Sequence, residues 1–184
     1  GIAGKHIAQR AIGHHPLHHH IVTIQILRRV AKGAIAADIA PLLPLSGNTV
    51  IEFGAGSGQL AFDILTTFKD LNILSCNNCP RLKTIEGEFP NLVEFHCENS
   101  GFKDLSGMVC QNLKKFNCSW SKKLELMPRF EKLEKLDCSN TTFTELPIIL
   151  LNSLISLKCK ECLFEEIPEF IFLRDLDCSS CPFL

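Results

Sequence analysis

The sequence lacks both a large net charge and a long uninterrupted apolar run. Its 19 Lys and Arg residues nearly balance 20 Asp and Glu residues, which leaves a formal net charge of −1. So little net charge gives no reason to expect a nucleic acid or an anionic membrane surface as a partner. A membrane span needs about 20 consecutive apolar residues. The best candidate, residues 21–45, is interrupted by charged residues and prolines: Arg28, Arg29, Lys32, Asp38, Pro41 and Pro44. The sequence therefore predicts no membrane span.

The sequence is not short of apolar residues or of cysteine. It is 46% hydrophobic, and 13 Phe residues provide material for a substantial core, which argues against disorder throughout the chain. Ten cysteines could indicate a secreted disulfide scaffold, but such scaffolds are usually chains too small to build a core. An apolar secretory segment is also absent near the start. We therefore interpret the cysteines as reduced thiols and expect an intracellular, cytoplasmic protein.

A repeat of about 21 residues runs through residues 50–184. Six consecutive segments contain 21, 21, 21, 20, 21 and 19 residues, and a partial segment follows them. Each opens with L-x-x-[LF]-x-C, except the first, which reads V-x-x-F-x-A. A single segment cannot bury its apolar side, so stability must come from stacking neighbouring segments. The repeat therefore predicts a solenoid of about 6.5 units.

This pattern resembles the leucine-rich-repeat family, whose signature L-x-x-L-x-L-x-x-[NC]-x-L recurs every 20–29 residues or so. The resemblance covers about three quarters of the chain. It implies an α/β repeat solenoid, in which short parallel strands form a curved stack with an N-terminal helical cap. Position six is Cys instead of Leu, at Cys76, Cys97, Cys118, Cys138, Cys159 and Cys178. Position nine, often Asn, is Cys79, Ser100, Ser121, Thr141, Cys162 and Cys181.

The alternation around positions four to six is typical of a short strand with one buried face. Positions one, four, six and eleven are then expected to point into a narrow core. In the first repeat these positions hold Val50, Phe53, Ala55 and Leu60. Proline and glycine in the second half of each repeat exclude a regular long helix there. The position-nine side chains are expected to bond backbone groups where the strand turns away.

The first 49 residues do not fit the repeat. Residues 1–20 are rich in His and Gly, and we predict a flexible segment. Residues 21–49 are predicted to form a helical cap over the open N-terminal edge of the solenoid, because terminal repeats need covering.

The segment Val50–Gly58, VIEFGAGSG, offers a rival interpretation. It resembles motif I of class I methyltransferases, in which an acidic residue (here Glu52) and a glycine loop (here Gly54, Gly56 and Gly58) precede a helix that meets S-adenosylmethionine. The acidic residue expected after the second strand is missing, however, because Cys76 and Asn77 stand there. We favour the repeat, and a methyltransferase-like enzyme remains the alternative.

Two Cys-x-x-Cys pairs, at 159–162 and 178–181, have the spacing of a zinc ribbon. Positions six and nine, however, take small inward residues in every repeat. Buried cysteine behaves as a small hydrophobe and needs no reactive role. We therefore predict core thiols and no metal site.

The outward strand positions are the candidate binding surface. Positions three, five, seven and eight should face away from the core on the concave side, with mixed charge and no basic stripe. Such a surface suits a protein partner better than nucleic acid, and its single Trp is a residue type enriched at interface hot spots. We predict a non-enzymatic protein-binding module without cofactor, or else a structural subunit of an assembly. Its predicted contact residues are Glu94, His96, Lys115, Asn117, Trp120, Lys135, Asp137, Lys158, Lys160 and Asp177.

Overall fold

The structure, a computed structural model, describes the backbone of residues 22–26 and 49–53 and all of residues 71–184. The strands in these ranges are β1 (Val22–Ile26), β2 (Thr49–Phe53), β3 (Ile73–Ser75), β4 (Gly87–Glu88), β5 (Glu94–His96), β6 (Met108–Val109), β7 (Lys115–Asn117), β8 (Lys135–Asp137), β9 (Ser156–Lys158) and β10 (Asp175–Asp177). Eight of them form one sheet in the order β1-β2-β3-β5-β7-β8-β9-β10. Strands β4 and β6 form a second, two-stranded sheet.

From residue 71 onward the chain is a parallel-strand solenoid. We call each repeat a rung; it begins at its position-one residue and ends just before the position-one residue of the next repeat. Each rung is named by the strand that it contributes to the large sheet. Five complete rungs cover residues 71–172, and the β10 rung is partial. Every neighbouring pair of strands is parallel, and position four always faces position four. The paired residues are Leu74, Phe95, Phe116, Leu136, Leu157 and Leu176. The predicted parallel stack is therefore confirmed for these rungs.

Helix is nearly absent from the described residues, where one 3₁₀ segment, Ile148–Asn152, is found. The prolines and glycines in the second half of each repeat account for this, as the sequence predicted. None of these residues belongs to a helix with the length and apolar character needed to cross a bilayer.

The core runs along the solenoid as columns of equivalent side chains. Positions one, four and six are buried in the five complete rungs. Phe95 and Phe116 stack with their ring centroids 5.5 Å apart, and Phe130 meets Phe116 edge-on at 5.3 Å. Parallel strands lie about 4.8 Å apart, so that each rung closes the apolar face of the one before it.

Position eleven departs from the prediction in two complete rungs. It is buried where it is Phe, as in Phe102, Phe143 and Phe164. In the β3 and β7 rungs it is instead the exposed Arg81 or Lys123, and the buried residue is the next one, Leu82 or Leu124. A tight turn takes up the additional residue. It is closed by the N–H of Leu82 donating to the carbonyl of Cys79 at 3.1 Å, and by the equivalent bond in the β7 rung.

The helical cap predicted for residues 21–49 is wrong where the structure describes it. Val22–Ile26 is a strand that pairs in parallel with β2. The segment VTIQI alternates β-branched with polar residues, and this pattern favours a strand over a helix. Thr49, the last residue of the predicted cap, begins strand β2. The remaining residues of the predicted cap and the predicted flexible segment 1–20 lie outside the described residues.

The register predicted for the first repeat is also wrong, by two residues. Phe53 was expected opposite Leu74, but Ile51 pairs with Leu74. The first repeat lacks the L-x-x-[LF]-x-C opening, so several apolar residues of TVIEF compete for the position-four site. A two-residue shift preserves which side chains share a face, because strands have a period of two.

Gly101 lies in close contact with the backbone of the preceding rung, and this contact leaves no room for a side chain. A Cβ added there would lie 2.1 Å from the carbonyl oxygen of Pro80 on the β3 rung, so backbone would have to move. We expect Gly101→Ala to lower the free energy of unfolding by about 1–3 kcal/mol. Gly107→Ala is the matched control, because its nearest obstacle is the flexible side chain of Glu86. Urea titrations of the two variants measure the difference, and equal midpoints would contradict this packing.

Candidate partner-binding face

The ten residues predicted to contact a partner lie on or directly after five successive strands. Eight belong to β5, β7, β8, β9 and β10, whereas Trp120 and Lys160 follow β7 and β9. In β3, β5, β7, β8 and β9 the middle residue is buried and its two neighbours are not, so positions three and five lie on the outward side. We define the strand face as positions three, five, seven and eight of the rungs from β3 to β10.

Side chains of the strand face form columns at the spacing of parallel strands, about 4.8 Å. The position-three column contains Ile73, Glu94, Lys115, Lys135, Ser156 and Asp175. The position-five column contains Ser75, His96, Asn117, Asp137, Lys158 and Asp177. Each charged side chain therefore has its nearest neighbours on adjacent rungs, so the charges of the strand face form an ordered array.

On the strand face, two ion pairs join adjacent rungs. Lys115 Nζ lies 2.6 Å from Glu94 Oε1, and His96 Nε2 lies 3.5 Å from the other oxygen of that carboxylate. Partial burial acts to raise the pKa of Glu94, but the hydrogen bond and charge of Lys115, together with His96, lower this pKa overall. Lys160 Nζ lies 2.9 Å from Asp177 Oδ2. The hydrogen bond from Lys160, followed by that from Ser179, lowers the pKa of Asp177.

Two lysines near the centre of the strand face have no such partner. Lys135 and Lys158 are exposed, and neither forms an ion pair within the part of the chain that the structure describes. Asp137 is the intervening carboxylate, on the same strand as Lys135 and opposite Lys158. Its Oδ1 accepts the backbone N–H of Ser139 at 3.1 Å. Two ammonium groups therefore remain available to an external anion.

Position eight is left-handed in every rung from β3 to β10, with φ between 50° and 62°. Asn tolerates this conformation better than other side-chain-bearing residues, and Asn78, Asn99 and Asn140 occupy three of the six positions. The sequence carried this signal in its recurring asparagines, but the alternation argument did not use it.

Trp120 occupies position eight of the β7 rung with φ 62°. A left-handed conformation is a genuine outlier for a bulky side chain. Its ring is also 51% exposed, so the strain is not offset by burial in the core. The contact that orients it is Lys122, whose Nζ lies 5.9 Å from the ring centroid. Backbone strain of this kind clusters at ligand-binding positions.

Position nine holds the rungs together from inside. Ser121 Oγ donates to the carbonyl of Cys97, on the preceding rung, at 2.7 Å. Two position-nine thiols make the equivalent contact with the rung that precedes each of them. Cys162 Sγ lies 3.0 Å from the carbonyl oxygen of Cys138, and Cys181 Sγ lies 2.9 Å from that of Cys159. These hydroxyl and thiol donors bond the backbone of the preceding rung in the place where the leucine-rich-repeat pattern has Asn.

All ten cysteines are free thiols, and eight of them are buried. The two Cys-x-x-Cys pairs at 159–162 and 178–181 direct two of their sulfurs at carbonyl oxygens. Within residues 71–184 and the two N-terminal strands, no group of three or more His, Cys, Asp and Glu side chains is placed to hold a metal ion.

The rival site of the glycine segment lies largely outside the described residues. Gly54, Gly56 and Gly58 belong to that undescribed part, so the structure places none of them. Strand β2, which carries Glu52, pairs with β1 on one side and with β3 on the other. The same sheet continues into the solenoid.

Comparison with known proteins found no matching family model, no matching curated protein and no matching solved structure. The function of the chain must therefore be argued from the strand face itself.

Proposed function

We propose that the protein is a non-enzymatic binding module that captures another protein on its strand face. The observation that carries the proposal is Trp120, which is exposed although its left-handed backbone disfavours a bulky side chain. A large aromatic ring held in strain at the surface has no evident value for folding. Exposed Trp residues are, in contrast, frequent anchors of protein interfaces.

The surroundings of Trp120 support a protein partner. On the strand face, an exposed aromatic ring is surrounded by lysines, carboxylates and short polar side chains, and an aromatic anchor within a polar rim is typical of protein interfaces. Its lysines are interspersed with carboxylates and do not form the continuous basic stripe with interleaved aromatics that is typical of nucleic-acid binding. Membership of the leucine-rich-repeat family and an intracellular location belong to the same proposal. They are supported by the repeat pattern and by the ten free thiols.

Trp120→Asn tests the proposal because it separates binding from folding. Asn suits φ 62°, so we expect the free energy of unfolding to stay unchanged or to rise by up to about 1 kcal/mol, with the loss of the Lys122 contact as a small offset. Partner affinity, measured by titration calorimetry, is expected to fall by about tenfold or more. Lys158→Glu is expected to lower the affinity for the same partner without lowering the free energy of unfolding.

Leu126→Asn provides the control. This side chain is 72% exposed but lies in the second half of its repeat, outside the strand face. It should leave affinity unchanged. If Trp120→Asn and Lys158→Glu bind as tightly as the unmodified chain, the strand face is not the binding surface.

The methyltransferase-like alternative is tested by measuring whether the chain binds S-adenosylmethionine. Calorimetric titration of the full chain with S-adenosylmethionine is expected to give no saturable heat. Saturable binding that disappears on Gly56→Val would replace the binding-module proposal.

A further inference from the structure

The charges of the strand face form three bands along the solenoid. The β5 rung carries the carboxylates Glu94 and Glu98, and the β10 rung carries Asp175 and Asp177. Between them, the β7, β8 and β9 rungs carry four lysines and two carboxylates: Lys115, Lys135, Lys158, Lys160, Asp137 and Glu161. From the β5 rung to the β10 rung, the face is therefore acidic on either side of a lysine-rich middle band.

The two ion pairs lie at the boundaries between these bands. Glu94 pairs with Lys115 across the β5–β7 boundary, and Asp177 pairs with Lys160 across the β9–β10 boundary. The lysines next to the boundaries are thus satisfied within the protein. The positive charge available to a ligand is concentrated on Lys135 and Lys158, at the centre of the middle band.

Trp120 lies on the rung next to the one that carries Lys135. Its backbone N–H donates to the carbonyl of Ser139 at 2.9 Å, which places it against the rung that carries Lys135. An apolar ring and two free ammonium groups therefore occupy three successive rungs. Along the solenoid, three rungs span about 10 Å.

From this arrangement we propose that the partner presents a short acidic segment with a large apolar side chain, which lies across the middle band with the apolar group on Trp120. The inference rests on the proposed function and specifies its partner. Carboxylates of the segment pair with Lys135 and Lys158. A polyanion such as nucleic acid fits less well, because phosphates extending past the middle band would meet Glu98 on one side and Asp175 on the other, and neither carboxylate is paired with a lysine in the described part of the chain.

Selection from a displayed library of short random peptides tests the proposal. The full chain is the bait, and peptides that also bind the Trp120→Asn variant are removed. We expect the remaining peptides to be enriched in Asp and Glu and to share a large apolar residue. A synthetic peptide of this kind should bind about tenfold more tightly than its Glu→Lys counterpart.

Charge reversal supplies the second arm. In the double variant Lys135→Glu/Lys158→Glu the preference should invert, so that the Glu→Lys peptide binds more tightly than the acidic one. Lys83→Glu/Lys103→Glu is the matched control, because both of these lysines are exposed and lie outside the strand face; it should retain the original preference.

The failures of the two proposals are distinguishable. Trp120-dependent peptides that lack acidic enrichment, or a preference that does not invert in the double variant, would overturn the acidic-segment inference and leave the binding face standing. A library that yields no Trp120-dependent peptide would overturn both.

Discussion

Phe116→Ala is expected to lower the free energy of unfolding by about 3–5 kcal/mol. Phe116 is 1% exposed and lies at position four of the β7 rung. Its ring stacks on Phe95 of the preceding rung and meets Phe130 of its own. Truncation removes both aromatic contacts and leaves a cavity in the middle of the column, which the neighbouring backbone ladders hold open. Urea unfolding followed by far-ultraviolet circular dichroism measures the change.

Phe183→Ala is the control for residue type, because its ring is 62% exposed. We expect a change within about 0.5 kcal/mol. The position of Phe116 adds to its effect, since each rung contacts only its neighbours and a defect in the middle weakens the stack on both sides. A loss below about 1 kcal/mol for Phe116→Ala would show that the aromatic column does not carry the core.

Alkaline pH is expected to unfold the protein through its buried thiols. Burial raises the pKa of Cys79 from 9.0 to about 11 and that of Cys110 to about 12. Burial likewise raises the pKa of Cys97. The folded state therefore keeps these thiols protonated at a pH where the unfolded chain ionises them. Their contribution to stability is fully present below pH 9, the unfolded pKa, and is lost as the pH rises towards the folded pKa.

Each such thiol is expected to lower the free energy of unfolding by up to about 1.4 kcal/mol for each pH unit above 9. Several acting together are enough to unfold a protein of ordinary stability within one or two pH units. Urea midpoints measured from pH 7.5 to 10 under reducing conditions should fall steeply above 9. Cys110→Ala should reduce that slope by the contribution of one thiol. A midpoint that stays constant through this range would contradict the burial of these thiols.

The sequence was sufficient to place the strands of the large sheet from β3 to β10, although not β4 and β6 of the second sheet, because one short pattern repeats with near-constant spacing. L-x-x-[LF]-x-C combines a buried Leu, a buried residue in mid-strand and a small thiol. Stacking identical units in register buries all three columns at once. The outward residues then follow from the alternation along each strand, so the sequence alone identifies the predicted contact residues from Glu94 to Asp177.

The parts that the sequence did not predict are those where the pattern loosens. In the first repeat V-x-x-F-x-A replaces the usual opening, and TVIEF paired two residues away from the predicted register. The segment VTIQI was assigned to a helical cap because terminal repeats need covering, although its own alternation favours the strand that forms. Local strand propensity prevailed over the analogy with capped solenoids.

The chemistry of position eight was missed for a different reason. Its recurring Asn reflects the left-handed backbone conformation at this position and not a side-chain function, so the alternation identifies Trp120 only as an outward aromatic residue. The left-handed φ values add the information that a Trp there is strained. This strain is what distinguishes Trp120 from the other exposed apolar residues of the chain.

Parallel stacking also determines how such a surface can change. Since each rung pairs only with the rungs beside it, duplication or deletion of one unit of about 21 residues adds or removes a row of the array and leaves the pairing elsewhere intact. The reach of the surface thus grows in steps of about 5 Å, and the order of its charges can be recombined row by row. In such a protein, the order of the rows determines which partner the surface recognises. Duplication of a repeat changes the number of rows, and point substitution changes the residues within one row.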